Sequence, residues 1–231
     1  MNYEKKALEH CVSISLHWSA DCNMACQYCY IDKDKKAMSA YNREIRTALE
    51  NGSYIKHIKD KFGHIKDNIE NLSLWGAEPT INGIYFKDTI YECLDFFSNA
   101  NSLMFSTNAL LGADLIYEQF YLPLLEYAEK NQRPFTFELQ LSLDGPPEFN
   151  DKSRHDGATK NTLNTLYSLL EKTPRDCAYF KFSVSTKATL DISYMKEMVE
   201  AGIEKFQWYY DFMNEIHGKA YDIIDNNPTI S

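Results

Sequence analysis

The chain lacks what would tie it to a membrane, to nucleic acid or to an oxidising compartment. No run approaches the roughly 18 apolar residues that a bilayer-spanning helix needs, and the first ten residues, MNYEKKALEH, hold no apolar signal core. There is no basic surplus; the formal net charge of −9 argues against a broad nucleic-acid footprint. Lys33, Lys35 and Lys36 collect, but acids interrupt them, and they read as a solvated loop. There is no repeat, low-complexity tract or internal linker. Six cysteines in 231 residues do not make a disulfide framework. The expectation is a cytoplasmic protein that binds neither membrane nor nucleic acid.

What is present suits one domain over 1–231, with its core at about 11–212. The chain is 44% hydrophobic and 14% aromatic, enough for a substantial interior. Strand patterns fall at Cys11–Trp18, Asn71–Trp75, Ser102–Thr107, Phe135–Leu143, Tyr179–Thr186 and Lys205–Asp211. Helical patterns lie between them, at Met38–Phe62, Tyr85–Phe97, Asp114–Lys130, Thr159–Leu170 and Ile192–Ala201, with another at Phe212–Ile224. Strand and helix alternating in this way imply a parallel sheet with right-handed crossovers.

The strands are apolar on one face only. In the fourth, Leu139, Leu141 and Leu143 oppose Glu138, Gln140, Ser142 and Asp144. In the fifth, Phe180, Phe182 and Val184 oppose Lys181, Ser183, Ser185 and Lys187. A doubly wound sheet, covered on both faces, would be apolar throughout. The expected fold is therefore α/β: a partial (β/α)6, TIM-like barrel with parallel strands, helices outside and a polar interior. An antiparallel sheet with one wet face is the alternative, disfavoured by the long helical connections.

Cys22, Cys26 and Cys29 sit in the loop after the first strand, at the carboxyl rim where such folds keep their active sites. A closed zinc site needs four ligands. His17 or Cys11 could add a fourth, but both precede the loop inside a strand pattern, and no second C-x-x-C pair exists. A 4Fe–4S cluster also takes four cysteines as a rule; three leave one iron open. Cys11, Cys93 and Cys177 stand singly in apolar surroundings and read as packed thiols.

The stretch Cys22-Asn-Met-Ala-Cys26-Gln-Tyr28-Cys29 resembles the cluster loop of radical S-adenosylmethionine (radical SAM) enzymes. The fuller CNMACQYCY is similar to the subgroup of anaerobic sulfatase-maturing and other peptide-modifying members with SPASM-type extensions. The resemblance implies a 4Fe–4S cluster on the three thiols, with SAM on the open iron. It also implies reductive cleavage of SAM to a 5′-deoxyadenosyl radical, and a hydrogen atom abstracted from substrate. Tyr28 would lie beside the cluster and adenine, and a reductant such as flavodoxin or ferredoxin would supply the electron.

Four further segments carry the likeness. Gly76-Ala77-Glu78-Pro79 resembles the Gly-Gly-Glu-Pro stretch that meets the SAM amino group; Ala77 stands where the second glycine is usual, and a positive φ there would be costly for alanine. Ser106-Thr107-Asn108 is similar to the first part of Thr-Asn-Gly, with Ala109 in the glycine's place. Ser142-Leu143-Asp144-Gly145-Pro146 resembles the subgroup's Ser-Leu-Asp-Gly-Pro, which implies that Ser142 lies near the SAM ribose. Arg154 matches an arginine that pairs with the SAM carboxylate, a task suited to a planar fork that is always charged. No cysteine follows Cys177 in this sequence, so the auxiliary clusters of the subgroup's cysteine-rich extension are not expected.

His17, Glu138, Lys181, Lys187, Tyr209 and Asp211 map to the polar face. Asp211 and Lys187, at strand ends near the rim, are the candidates to handle a proton or hold substrate charge. The expected substrate is a peptide or protein side chain. A small metabolite is the runner-up, and a non-catalytic iron–sulfur or zinc-binding protein the rival from another class.

Overall fold

The computed structural model describes residues 12–29, 31, 35–173, 177–188 and 211–220. Five strands pair in parallel and in unbroken chain order: β1 (Ser13–Ser19), β2 (Asn71–Gly76), β3 (Ser102–Thr107), β4 (Phe135–Ser142) and β5 (Phe180–Lys187). The class is α/β, a parallel sheet with helices around it. After β1 come α1 (Lys35–Glu50) and α2 (Ser53–Phe62); α3 (Phe86–Phe96) follows β2. Between β3 and β4 run α4 (Gly112–Ile116), a π turn (Tyr117–Tyr121) and α5 (Leu122–Asn131); α6 (Pro147–Ser153) and α7 (Ala158–Lys172) follow β4. Residues 211–220 are also helical.

The two faces of the sheet separate as the alternation requires. Leu16, Leu74, Phe105, Leu139 and Val184 stand side by side across all five strands. They meet helix residues at helical spacing, such as Phe86, Ile90, Cys93 and Leu94 of α3, in one apolar cluster. Ring contacts join the layers: Phe105 lies 4.9 Å from Phe120 and 5.6 Å from Phe137. Strands in sequential order with right-handed crossovers carry their helices to a single face. The other face is left to residues such as Ser15, Ser73, Met104, Glu138 and Ser183, neighbours in one cross-strand row, all of them half-buried or exposed.

The five expected strands within the described residues all form, each within two residues of its expected ends. The Asp114–Lys130 pattern divides, because the helix widens to a π turn at Tyr117–Tyr121, where the two tyrosine rings stack 5.2 Å apart. Of the sixth strand, at Lys205–Asp211, only Asp211 lies among the described residues, and it is helical and exposed rather than the end of a strand. Its helix is anchored by Phe212, Met213 and Ile216 against the core; that spacing serves a helix face. The 192–201 helix and Tyr209 lie outside the described residues. Cys93 is the packed thiol expected, 1% exposed. Cys177 is half-buried against the core, and Cys11 lies outside the described residues.

Gly76 ends β2 where β1 also ends. Its φ is +136°, and a Cβ there would fall 1.9 Å from the Ser19 carbonyl oxygen. That oxygen accepts from Ala77 N at 2.8 Å, so the two strand ends are zipped through a position only glycine can fill. Gly76→Ala is expected to lower stability by roughly 3 kcal/mol, from steric overlap and backbone strain together. The urea midpoint of unfolding measures it; an unchanged midpoint would show that the strand ends are not joined in this way.

Candidate functional site at the carboxyl rim

The cysteine loop leaves β1 at Ser19 and is held from two sides. On its first half, Asn108 Nδ2 donates to Asn23 Oδ1 at 2.7 Å and reaches Cys22 Sγ at 3.7 Å. Glu78 N donates to Asp21 O at 3.0 Å. On its second half, Gln27 N donates to Ser153 O at 2.8 Å and Gln27 Nε2 to Lys152 O at 2.9 Å. The Tyr28 hydroxyl donates to Asp144 Oδ2. The loop thus bridges the end of β3 and the segment after β4.

Beneath the loop lies a cavity of about 600 Å³, floored by the polar face of the sheet. All three cysteines line it, with Tyr28, Gly76, Ala77, Glu78 and Pro79 on its wall. Asn108, Ser142, Arg154 and Lys187 reach it as well. Its size is that of an ordinary small-molecule site. Of the two substrate candidates, Lys187 is on the lining, beside its cross-strand partner Ser142. Asp211 is not among the lining residues. His17 sits apart, its Nδ1 3.2 Å from the Tyr41 hydroxyl and its ring 5.8 Å from Trp75; burial lowers its pKa.

The charged groups at the rim are turned inward. Both oxygens of Glu78 are engaged: Oε1 accepts from Thr80 N at 3.1 Å, Thr80 Oγ1 at 2.7 Å and Thr107 Oγ1 at 2.7 Å, and Oε2 from Asn108 N at 2.8 Å. The residue is 2% exposed. Burial raises its pKa, and these hydrogen bonds only partly offset the rise. Arg154 donates through Nε to Asp144 Oδ2 at 2.7 Å and through a terminal nitrogen to Oδ1 at 3.1 Å. Both partners are buried, at 8% and 2% exposure, and the guanidinium stands 5.5 Å from the Tyr28 ring centre. Burial alone would lower the Arg154 pKa, but Asp144 outweighs it and the net shift is upward. The fork that the resemblance assigned to a SAM carboxylate is therefore held by a carboxylate of the chain itself.

Of the two alanines that stand where the resemblance implies glycine, the strained one is not Ala77. Among the described residues the non-glycine positive φ angles belong to Ala109, at +61°, and Gln132, at +51°. Ala109 turns the chain sharply after β3, with its N donating to Thr107 Oγ1 at 3.1 Å.

Burial pushes the Cys22 thiol up to about 11, with Glu78 and the other two cysteines adding to the rise. Cys26 is raised too, by burial first, while the Arg154 charge pulls it back. Soft sulfur donors on one loop and one cavity suit iron or zinc in kind, and binding would exchange their protons for the metal. Among the described residues no three such side chains already stand as a finished ligand set.

Several residues that hold the site were not foreseen. Asn42 Oδ1 accepts from Ala20 N at 3.1 Å and from Asn82 Nδ2 at 3.1 Å, and Asn82 also donates to Trp18 O at 2.9 Å. Asn42 did leave a signal: it occupies the apolar stripe of α1, between Met38 and Ile45, where an amide is out of place unless it has buried partners. Asn150 accepts from Asp144 N at 2.9 Å and donates to Thr159 Oγ1 at 3.0 Å; no pattern announced it. No protein-family model matches the chain, and no curated protein matches it.

Since every partner of Glu78 is a donor, Glu78→Gln would bring an NH2 against one of them. A loss of about 2 kcal/mol is expected from that mismatch, read from thermal or denaturant unfolding of the metal-free protein. Full stability in this variant would show that the carboxylate does not strap β2 to β3.

Proposed function

We propose that the chain is a radical SAM enzyme built on a partial (β/α)6 barrel, acting on a peptide or protein side chain, with a small metabolite as the alternative substrate. The observation that carries the reading is that Cys22, Cys26 and Cys29 open together into a cavity over the polar face of a parallel sheet, at its carboxyl rim. A 4Fe–4S cluster on these thiols would supply an electron and an open iron for cleavage of SAM, so that a hydrogen atom can be taken from substrate.

The chain's own part is to bind, orient and exclude water. Met24, Ile31 and Met38 give the cavity an apolar side, which keeps water from a reactive radical. Ser106, Ser142 and Lys187 give it a polar side, suited to the hydroxyl and carboxylate groups of a nucleoside-bearing amino acid. Gly76 and Ala77 bring backbone to the wall, where a carbonyl can accept from an ammonium group. In this reading Glu78, Asp144 and Arg154 shape the site more than they touch its contents.

That same inward turn of Glu78 and Arg154 favours a second reading, a cluster-binding protein without SAM chemistry. Anaerobic reconstitution with iron and sulfide, followed by SAM and a strong reductant, separates the two. The expected result is about four irons per chain and release of 5′-deoxyadenosine, both lost in Cys26→Ala. A brown protein that releases none would support the second reading; a colourless protein holding one zinc would sink both.

A further inference from the structure

The second half of the cysteine loop hangs on a three-residue unit, the buried pair Asp144 and Arg154 with the half-buried Tyr28. Asp144 takes the Arg154 fork through both oxygens and the Tyr28 hydroxyl through one of them. Asp144 is fixed in turn by Asn150, whose Oδ1 accepts from Asp144 N at 2.9 Å. Tyr28 stands between Cys26 and Cys29, and Gln27 is pinned to α6 through two carbonyls. Cys22 is hydrogen-bonded to none of these groups; its N donates to Asp21, and its sulfur accepts from Met24 N and Asn108 Nδ2.

We infer that Tyr28, Asp144 and Arg154 form a latch that positions Cys26 and Cys29 as one body with the β4 rim, independently of Cys22, which travels with the β3 rim. Asp144 and Arg154 are positioning residues, acting on the cysteines through Tyr28. The latch is a geometric unit that needs no metal. Its bearing on cluster assembly rests on the function proposed above. All three sulfurs come from the loop after β1, but Cys26 and Cys29 are tied through their neighbours to the segment after β4, and Cys22 to the end of β3, so a group binding all three must bridge those two attachments. The latch holds two of the three donors as one unit, to which Cys22 is brought.

Arg154 is buried beside Cys26, so removing Asp144 would leave a naked charge next to a thiol. The cleaner probe is Tyr28→Phe, which deletes the hydroxyl and leaves the ion pair. The reduced, metal-free protein is alkylated with iodoacetamide at one fixed pH, and each cysteine is followed separately by mass spectrometry. Tyr28→Phe is expected to accelerate Cys26 and Cys29 together, by roughly tenfold, as for loss of a hydrogen bond to a charged acceptor. Cys22 and the core thiol Cys93 should keep their rates. Asn108→Ala is expected to do the reverse, freeing Cys22 alone. Unchanged rates at Cys26 and Cys29, or equal acceleration of all three loop cysteines, would overturn the latch. If Tyr28→Phe loosens the whole fold, Cys93 will also accelerate; Gln27→Ala, which removes the bond from Gln27 Nε2 to Lys152 O on the same half of the loop, must then show the Cys26 and Cys29 selectivity, or the inference fails. Neither cluster nor SAM enters the measurement, so its failure is distinct from failure of the radical reading. In reconstituted protein, a changed electron paramagnetic resonance signal in Tyr28→Phe is the spectroscopic counterpart.

Discussion

Ser19, Gly76 and Glu78 lie where two parallel strands end together, and the close approach at that point sets the site. The Ser19 carbonyl oxygen leaves no room for a side chain at residue 76. It also accepts from Ala77 N, so the chain cannot drift apart after β2. Glu78 then falls under the rim and gathers donors from its own turn and from the end of β3. Without that strap the cysteine loop would lose the floor that Asn108 provides. A carboxylate this deeply buried is costly unless donors surround it, and four donors are what the rim delivers.

The rim uses a second buried carboxylate differently. Glu78 is met by neutral donors and its pKa rises with burial. Asp144 is met by a guanidinium and a phenol, so Arg154 carries the compensating charge and Tyr28 adds a neutral donor. One stitches strand to strand; the other stitches loop to strand. Between them they use up the charges that the resemblance assigned to a cosubstrate, and the cavity keeps hydroxyls, backbone, the thiols, Asp21, Asn108 and Lys187.

The sheet was legible because one-sided alternation survives in every strand: Leu139 and Leu141 against Glu138 and Gln140 need no tertiary information to be read. The three cysteines, and their place after β1, were legible for the same reason, that a strand pattern ended beside them. The partners of Arg154 were not. Its pairing with Asp144 joins residues on either side of a short helix, and nothing in the spacing separates a fork aimed at a ligand from one aimed at its own chain. Nor did the sequence separate Ala77 from Ala109: both stand where the resemblance implies glycine, but only the backbone angle reveals which one bears the strain. Asp211 was misplaced because a short polar–aromatic alternation around it satisfies a strand template as readily as the helix that Phe212 and Ile216 anchor.

The strand order has a bearing on how the molecule assembles. Each described strand after the first pairs with the one made just before it, so none has to wait for a distant segment. Paired strand starts are still 31 to 58 residues apart, as in Asn71 with Ser102 and Ser13 with Asn71, so each pairing closes a long loop and is slow, but a chain emerging from its amino end can extend the sheet one strand at a time. The cysteine loop, tethered to the ends of β3 and β4, is shaped later than the strand it follows. Its sulfurs take their places only once more than half of the chain has been built, and until then they remain as accessible as any thiol in an unfolded segment.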